Sequence, residues 1–317
     1  MTITLGPEDV GDAGSLAERH VQEIMQASLS ETIKRIGRGN SSMGTEIYYF
    51  SGTGNSLHVA KELQKRLPGS ELISIVSILD NDVVVTKGDT VGFIFPVYFT
   101  TVPAPVRKFL EKLNMNSAKY SFSVVTRIGT FCVANINVNR ILKNKGKSLD
   151  SKFILNMANN SPTGLKPGKG DENWVNQINR EKVSQLESEV QSRLDFIHKV
   201  ILAHDKYPQK AISDPILSLL ERMMYLITRS NKTQIDFYTD STCTGCGICE
   251  KVCLSKKVRM QDKQPLWQKD VNCYYCYACF NFCPAQSILV KNKYIKKDGR
   301  YSHPDITADD IAGQKNI

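Results

Sequence analysis

No apolar run in the 317 residues reaches the roughly 18 residues of a membrane-spanning helix, so no membrane span is expected. No apolar-centred leader opens the chain, and Glu8, Asp9, Asp12 and Glu18 argue against a transit peptide. Without a secretory signal, a disulfide framework has no oxidising compartment in which to form, and the expected location is cytoplasmic. No nucleic-acid-binding motif accompanies the formal charge of +9, so nucleic acid is not expected as a partner.

What the chain does have is cysteine in register. Eight of its nine cysteines fall in two runs, Cys243, Cys246, Cys249, Cys253 and Cys273, Cys276, Cys279, Cys283. Both read C-x-x-C-x-x-C-x-x-x-C, at one offset of thirty residues. Zinc sites use two separated pairs and give no reason for a third and fourth cysteine at these intervals. The spacing resembles that of bacterial ferredoxins, which hold two 4Fe-4S clusters. That resemblance implies one cluster on Cys243, Cys246, Cys249 and Cys283, and a second on Cys273, Cys276, Cys279 and Cys253. Gly245 and Gly247 ease the first loop, and Leu254 stands where a proline usually follows the fourth cysteine. Tyr274, Tyr275, Tyr277, Phe280 and Phe282 read as shields that keep water off the clusters. Cys132 reads as a small buried apolar residue.

Residues 1–43 read as a leader, a tag or a non-native extension, with a docking helix through Val21, Ile24, Leu29, Ile33 and Ile36 as the alternative. A short apolar strand at Glu46–Phe50 then runs into Ser51-Gly52-Thr53-Gly54-Asn55-Ser56 and a helix bearing Leu57, Ala60, Leu63 and Leu67. Strand, glycine- and hydroxyl-rich turn, then helix is a phosphate cradle, because amides at a helix start point at the anion. The turn lacks the Gly-Lys-Ser/Thr ending of a Walker A loop and the G-x-G-x-x-G of a dinucleotide site, and suits a terminal monophosphate.

This turn is similar to the phosphate loop of flavodoxins, which bind FMN. Further strands at Leu72–Ile75, Thr90–Pro96, Ser121–Thr126 and Phe153–Met157, with helices between such as Pro105–Leu113, predict an α/β fold: a doubly wound, five-stranded parallel sheet. Ligands in such sheets lie at the carboxyl ends of the strands. The resemblance therefore puts the loop Pro96, Val97, Tyr98, Phe99, Thr100 and Thr101 on one side of a flavin ring and the loop Thr126, Arg127, Ile128, Gly129 and Thr130 on the other, with Tyr98 or Phe99 against a ring face. A lid is expected over 162–171, a long helix over 179–204 and a strut helix over 214–230. The expected division is 44–206 flavodoxin-like, 207–236 connecting, 237–290 a small α+β ferredoxin-like unit and 291–317 a basic and polar tail, with His303 structural or at the surface.

Together the halves resemble flavodoxin–ferredoxin fusion proteins of anaerobes, over Met43 to Ser302. The resemblance implies an electron-transfer protein relaying electrons between two clusters and FMN, to or from a redox partner protein. An FMN-dependent reductase of a small organic acceptor is the second reading; a non-redox zinc protein is the third. The flavin loops present no obvious acid or base, which favours the carrier. Two clusters and a flavin phosphate at roughly −2 each would bring the charge from +9 to about +3. The run 291–300 is basic enough to meet an acidic partner, and a homodimer is compatible with the sequence.

Overall fold

The computed structural model describes residues 44–129, 132–160, 178–208, 223, 236–291 and 300–315. The leader, Thr130, the 162–171 lid, all of the 214–230 helix but Met223 and most of the 291–300 run lie outside the described residues.

In chain order the first strands are β1 (Thr45–Tyr49), β2 (Glu71–Ser74), β3 (Val84–Val85), β4 (Thr90–Pro96), β5 (Leu113–Asn114), β6 (Tyr120–Arg127) and β7 (Ser151–Asn156). Five of them form one sheet in the order β2-β1-β4-β6-β7, and every pairing in it is parallel. The short β3 and β5 pair with each other. All seven residues of β4 are buried, as expected of an inner parallel strand covered on both faces.

Alternation along the strands divides the core in two. Tyr48, Phe93 and Phe95 point to one face, where they meet Val106 and Phe109 of α2 (Ala104–Lys112) and Val138 and Leu142 of α3 (Ala134–Lys143). Ile47, Ile94 and Phe122 point to the other, against Leu63 of α1 (Asn55–Arg66) and Leu194 and Ile197 of α4 (Arg180–Ala203). Burying each such side chain contributes roughly 1.5–3 kcal/mol. Asn179 caps α4 by accepting from the Lys182 amide at 2.8 Å, and His204 ends it in a left-handed turn. The chain reverses its winding at β1, so the carboxyl ends of β1 and β4 open a crevice at the switch point.

The cysteine-rich stretch packs into the same compact unit, residues 43–317. Its elements are β8 (Phe237–Thr239), α5 (Ile248–Lys251), β9 (Val258–Gln261), β10 (Gln264–Trp267), α6 (Ala278–Asn281) and β11 (Ile288–Val290). β8 pairs antiparallel with β11, and β9 with β10. The thirty-residue repeat of the cysteines is also written in the backbone. Gly245, Gly247 and Lys256 have φ of 70°, 78° and 59°; Tyr275, Tyr277 and Gln286, thirty residues on, have 57°, 55° and 49°. Two tyrosines thus occupy left-handed slots that the first copy fills with glycine, at about 1–2 kcal/mol each.

Residues 300–315 are not a loose polar tail. Tyr301, His303, Ile306, Ile311 and Gln314 are buried, and α7 (Ala308–Gly313) is held by a capping box between Thr307 and Asp310. Lys61 of α1 pairs with Asp310 at 2.6 Å, and Lys251 of α5 pairs with Asp309. The segment joins the two parts of the unit, and composition hid it because its apolar residues are few and widely spaced.

Candidate functional site

The turn from β1 into α1 is built to receive an anion. α1 starts at Asn55 with Gly54 as its cap residue, φ 107°, and no side chain caps it. The amides of its first turn are therefore left to a ligand or solvent. The Gly54 amide donates to Ser51 Oγ at 3.2 Å, which tightens the turn. Behind it, a side chain on Gly54 would collide with His303 and Ile306, so glycine is required there for space as well as for φ. Ser56 Oγ and Thr126 Oγ1 share a hydrogen bond of 2.8 Å, and Asn160 Nδ2 donates to Thr53 Oγ1.

Eleven residues expected at the flavin line one cleft of about 230 Å³: Ser51, Gly52, Thr53, Asn55 and Ser56 from the turn, Pro96 to Phe99 after β4, and Thr126 and Arg127 after β6. Gly54 and Gly129 do not line it. Asn55 also has structural partners, since it donates to Ala158 O at 3.0 Å and accepts from the Tyr301 hydroxyl at 3.1 Å. Thr100 and Ile128, from the two loops expected beside the ring, complete the wall together with residues not expected there: Ala158 to Asn160, Tyr275 and Tyr277. Arg127 is the one charged side chain among the described lining residues, and its charge favours an anion.

After β4 the chain makes a tight turn in which Tyr98 and Thr101 exchange backbone hydrogen bonds of 3.1 and 3.0 Å. Phe99 and Thr100 at its tip both have positive φ, 50° and 66°, a strained pair without glycine. Phe99 is 46% exposed and stands edge-on to Tyr275, ring centres 5.5 Å apart, so it is no core residue. Tyr98 is half-buried overall and packs edge-on to Phe50 at 6.1 Å, with its hydroxyl buried and lacking a hydrogen-bond partner. Burial first, and the nearby Cys276 and Cys273 next, hold its phenol well above the usual range, so it stays a neutral donor.

All nine cysteines are free thiols. Cys243, Cys246, Cys249 and Cys283 line one small cavity; Cys253, Cys273, Cys276 and Cys279 line another. The fourth cysteine of each run thus sits with the first three of the other. Protein donors face the sulfurs: the Val258 amide reaches Cys253 Sγ at 3.4 Å and the Tyr275 amide reaches Cys273 Sγ at 3.3 Å. Burial pushes the Cys249 and Cys273 thiols up to about 11. Thiols so buried become thiolates only beside a compensating cation. Four cysteines around each cavity, with amide donors at the second, suit a thiolate-bound metal centre in each.

The second cavity abuts the cleft. Tyr277 lines both, and a side chain on Gly52 would lie 2.6 Å from Cys276 O and 2.7 Å from Cys276 Cβ. Gly52 is thus where the anion turn and the second cysteine loop touch backbone to backbone. The first cavity reaches the surface at Cys246, which is exposed.

A separate cluster braces the turn from behind. His58 Nε2 lies 2.8 Å from Glu187 Oε1, His303 Nε2 lies 3.5 Å from Glu187 Oε2, and the two imidazoles stack at 3.8 Å. The Asp305 amide donates to His303 Nδ1 at 3.3 Å, so His303 Nε2 carries the proton and donates to the carboxylate. That tautomer leaves His303 Nε2 no lone pair for a metal ion, and the trio acts as a hydrogen-bonded tie between α1, α4 and the 300–306 segment. Both histidine contacts hold the Glu187 carboxyl far below the usual carboxylate range.

Comparison with known proteins places the fold. Residues 46–159 match the family model described as "Flavodoxin domain", so the chain contains a flavodoxin-like domain. No curated protein matches. Among solved structures, an NADH:FMN oxidoreductase in its apo form is 10% identical with a TM-score of 0.32, covering 55% of this chain and 92% of its own. A chain from Bacteroides uniformis, provisionally assigned as a flavoprotein, is 17% identical with a TM-score of 0.29, covering 37% and 92%. The metal-soaked Flv1 flavodiiron core from Synechocystis is 14% identical with a TM-score of 0.26, covering 57% and 40%. Scores this low carry no inference about what this chain binds. Among the described residues no helix is long and apolar enough to cross a membrane.

Proposed function

We propose that this chain is an electron-transfer flavoprotein that binds FMN in the cleft and a 4Fe-4S cluster in each cysteine cavity. The observation that carries the reading is the shared wall: Tyr277 lines both the cleft and the second cysteine cavity, and Gly52 meets Cys276 there. The flavodoxin-domain match over 46–159 supports FMN. Clusters pass electrons singly and FMN holds one or two, so such a chain interconverts the two kinds of traffic.

The chain's own residues do the rest. The uncapped start of α1, with Ser51, Thr53 and Ser56, holds the phosphate. Phe99, on its strained turn, and Tyr275 wall the ring end of the cleft, and Arg127 supplies a positive edge. Cys243, Cys246, Cys249 and Cys283 hold the outer cluster, and the exposed Cys246 makes that side the contact for a redox partner protein. Cys253, Cys273, Cys276 and Cys279 hold the inner cluster against the cleft. Among the described residues that line the cleft there is no carboxylate or histidine, which favours an electron carrier over a reductase that must supply a proton to a small substrate.

Anaerobic isolation followed by metal, sulfide and flavin analysis tests the reading. Brown protein with iron, acid-labile sulfide and FMN is expected; zinc in place of iron, or no flavin, overturns it. Steady turnover of a small organic acceptor with reduced viologen and no second protein would make it a reductase.

A further inference from the structure

We propose that the Tyr98 hydroxyl donates a hydrogen bond to the Cys276 thiolate and so raises the reduction potential of the cluster that borders the cleft. The inference rests on the function proposed above and assigns one residue within it. Three observations carry it. The Tyr98 hydroxyl is buried and has no hydrogen-bond partner among the described residues. A methyl group at Gly52 would lie 2.6 Å from that hydroxyl and 2.7 Å from Cys276 Cβ, so the two side chains converge on one point beside the Gly52 backbone. The ring is fixed there by its edge-on contact with Phe50 and by the paired backbone hydrogen bonds between Tyr98 and Thr101.

A buried donor without an acceptor is destabilising, so a hydroxyl held in this state is waiting for one. Among the described residues no acceptor is bonded to it, the uncharged Cys276 sulfur included; that sulfur becomes a strong acceptor when it is a thiolate ligating iron. On one-electron reduction the cluster gains one negative charge and no bond is made or broken. A donor aimed at a ligating sulfur stabilises that added charge, and hydrogen bonds to the sulfurs are among the factors that set cluster potentials. Tyr98 is a positioning residue in this role and takes no part in carrying the electron.

The test is an EPR-monitored redox titration of the full, cluster-loaded chain under anaerobic conditions, wild type against Tyr98→Phe. Phenylalanine keeps the ring and removes the donor. One cluster is expected to shift to a more negative midpoint potential, with the other unmoved. Tyr98→Leu, a second donor-free variant, is expected to shift the same cluster in the same direction, and serves if the first variant does not fold. Unmoved potentials for both clusters overturn the proposal. Loss of FMN with both potentials unmoved also overturns it, and assigns the hydroxyl to the flavin. A wild-type chain without iron and sulfide overturns the underlying function itself, and the two failures are thus distinct.

Discussion

Gln314→Ala is the sharpest perturbation of the scaffold. Gln314 is fully buried, and its carboxamide treats Ser51 as a strand would. Its Oε1 accepts from the Ser51 amide at 2.9 Å, and its Nε2 donates to Ser51 O at 2.8 Å. Ser51 is the first residue of the anion turn and is itself 1% exposed. Alanine leaves that amide and that carbonyl unpaired in the interior. Each such group costs roughly 1–3 kcal/mol, so a loss of roughly 2–6 kcal/mol is expected. At about 2–4 °C per kcal/mol for a chain of this size, melting should fall by roughly 4–24 °C. Urea unfolding should show the same loss as a lowered midpoint with an unchanged slope. Gln314→Glu is the control: it keeps an acceptor for the amide but sets oxygen against oxygen at Ser51 O, so it should not rescue. A Gln314→Ala protein melting within about 1 °C of wild type would place the side chain among ordinary surface positions and refute the clamp.

Three further outcomes follow from the same structure. Ser56→Ala removes the partner of Thr126 and a candidate phosphate donor, so FMN retention should fall in gel filtration while iron content holds; equal FMN occupancy counts against the anion turn. Glu187→Gln should cost about 1–2 kcal/mol at neutral pH, as hydrogen bonds to a charged group weaken. Because the folded carboxyl titrates below its ordinary 4.5, the wild-type advantage is complete above that value and shrinks as pH falls below it; an advantage that grows on acidification contradicts the tie. Gly247→Ala meets no neighbour and should cost only about 1–2 kcal/mol for its left-handed backbone, whereas Gly245→Ala also runs into Lys263 O at 2.8 Å and should cost about 1–3 kcal/mol more; equal urea midpoints would contradict this.

Much of the scaffold was legible because its signals are local. The strand over Thr90–Pro96 coincides with its sequence reading, since an apolar run of that length bounded by Asp and Pro fits only an inner strand. The turn at 51–56 announced itself through glycine and hydroxyls between a strand and a helix. The long helix over 179–204 showed in its apolar repeat. What stayed hidden was long-range. Gln314 and Ser51 are 263 positions apart, and nothing near either residue advertises the pairing. Helix α3 was missed because Asn135, Asn137 and Asn139 disguise its apolar face, although Asn135 and Asn137 are buried. Tyr275 and Tyr277 read as cluster shields, yet both also line the cleft. A clue was present: at thirty residues' offset they replace Gly245 and Gly247, and large side chains in left-handed slots call for a reason. The 300–315 segment carried a readable capping box at Thr307 and Asp310, but its helix of six residues is too short for periodicity to reveal.

The account turns on contact between the anion turn at Gly52 and the cysteine loop at Cys276. Its most direct test is flash reduction of the anaerobic holoprotein by about one electron per chain, followed by absorbance at flavin and iron–sulfur wavelengths. Redistribution between the two should proceed at a rate independent of protein concentration. A rate that rises in proportion to concentration would mean that electrons cross only between molecules, and would contradict a shared wall between cleft and cluster.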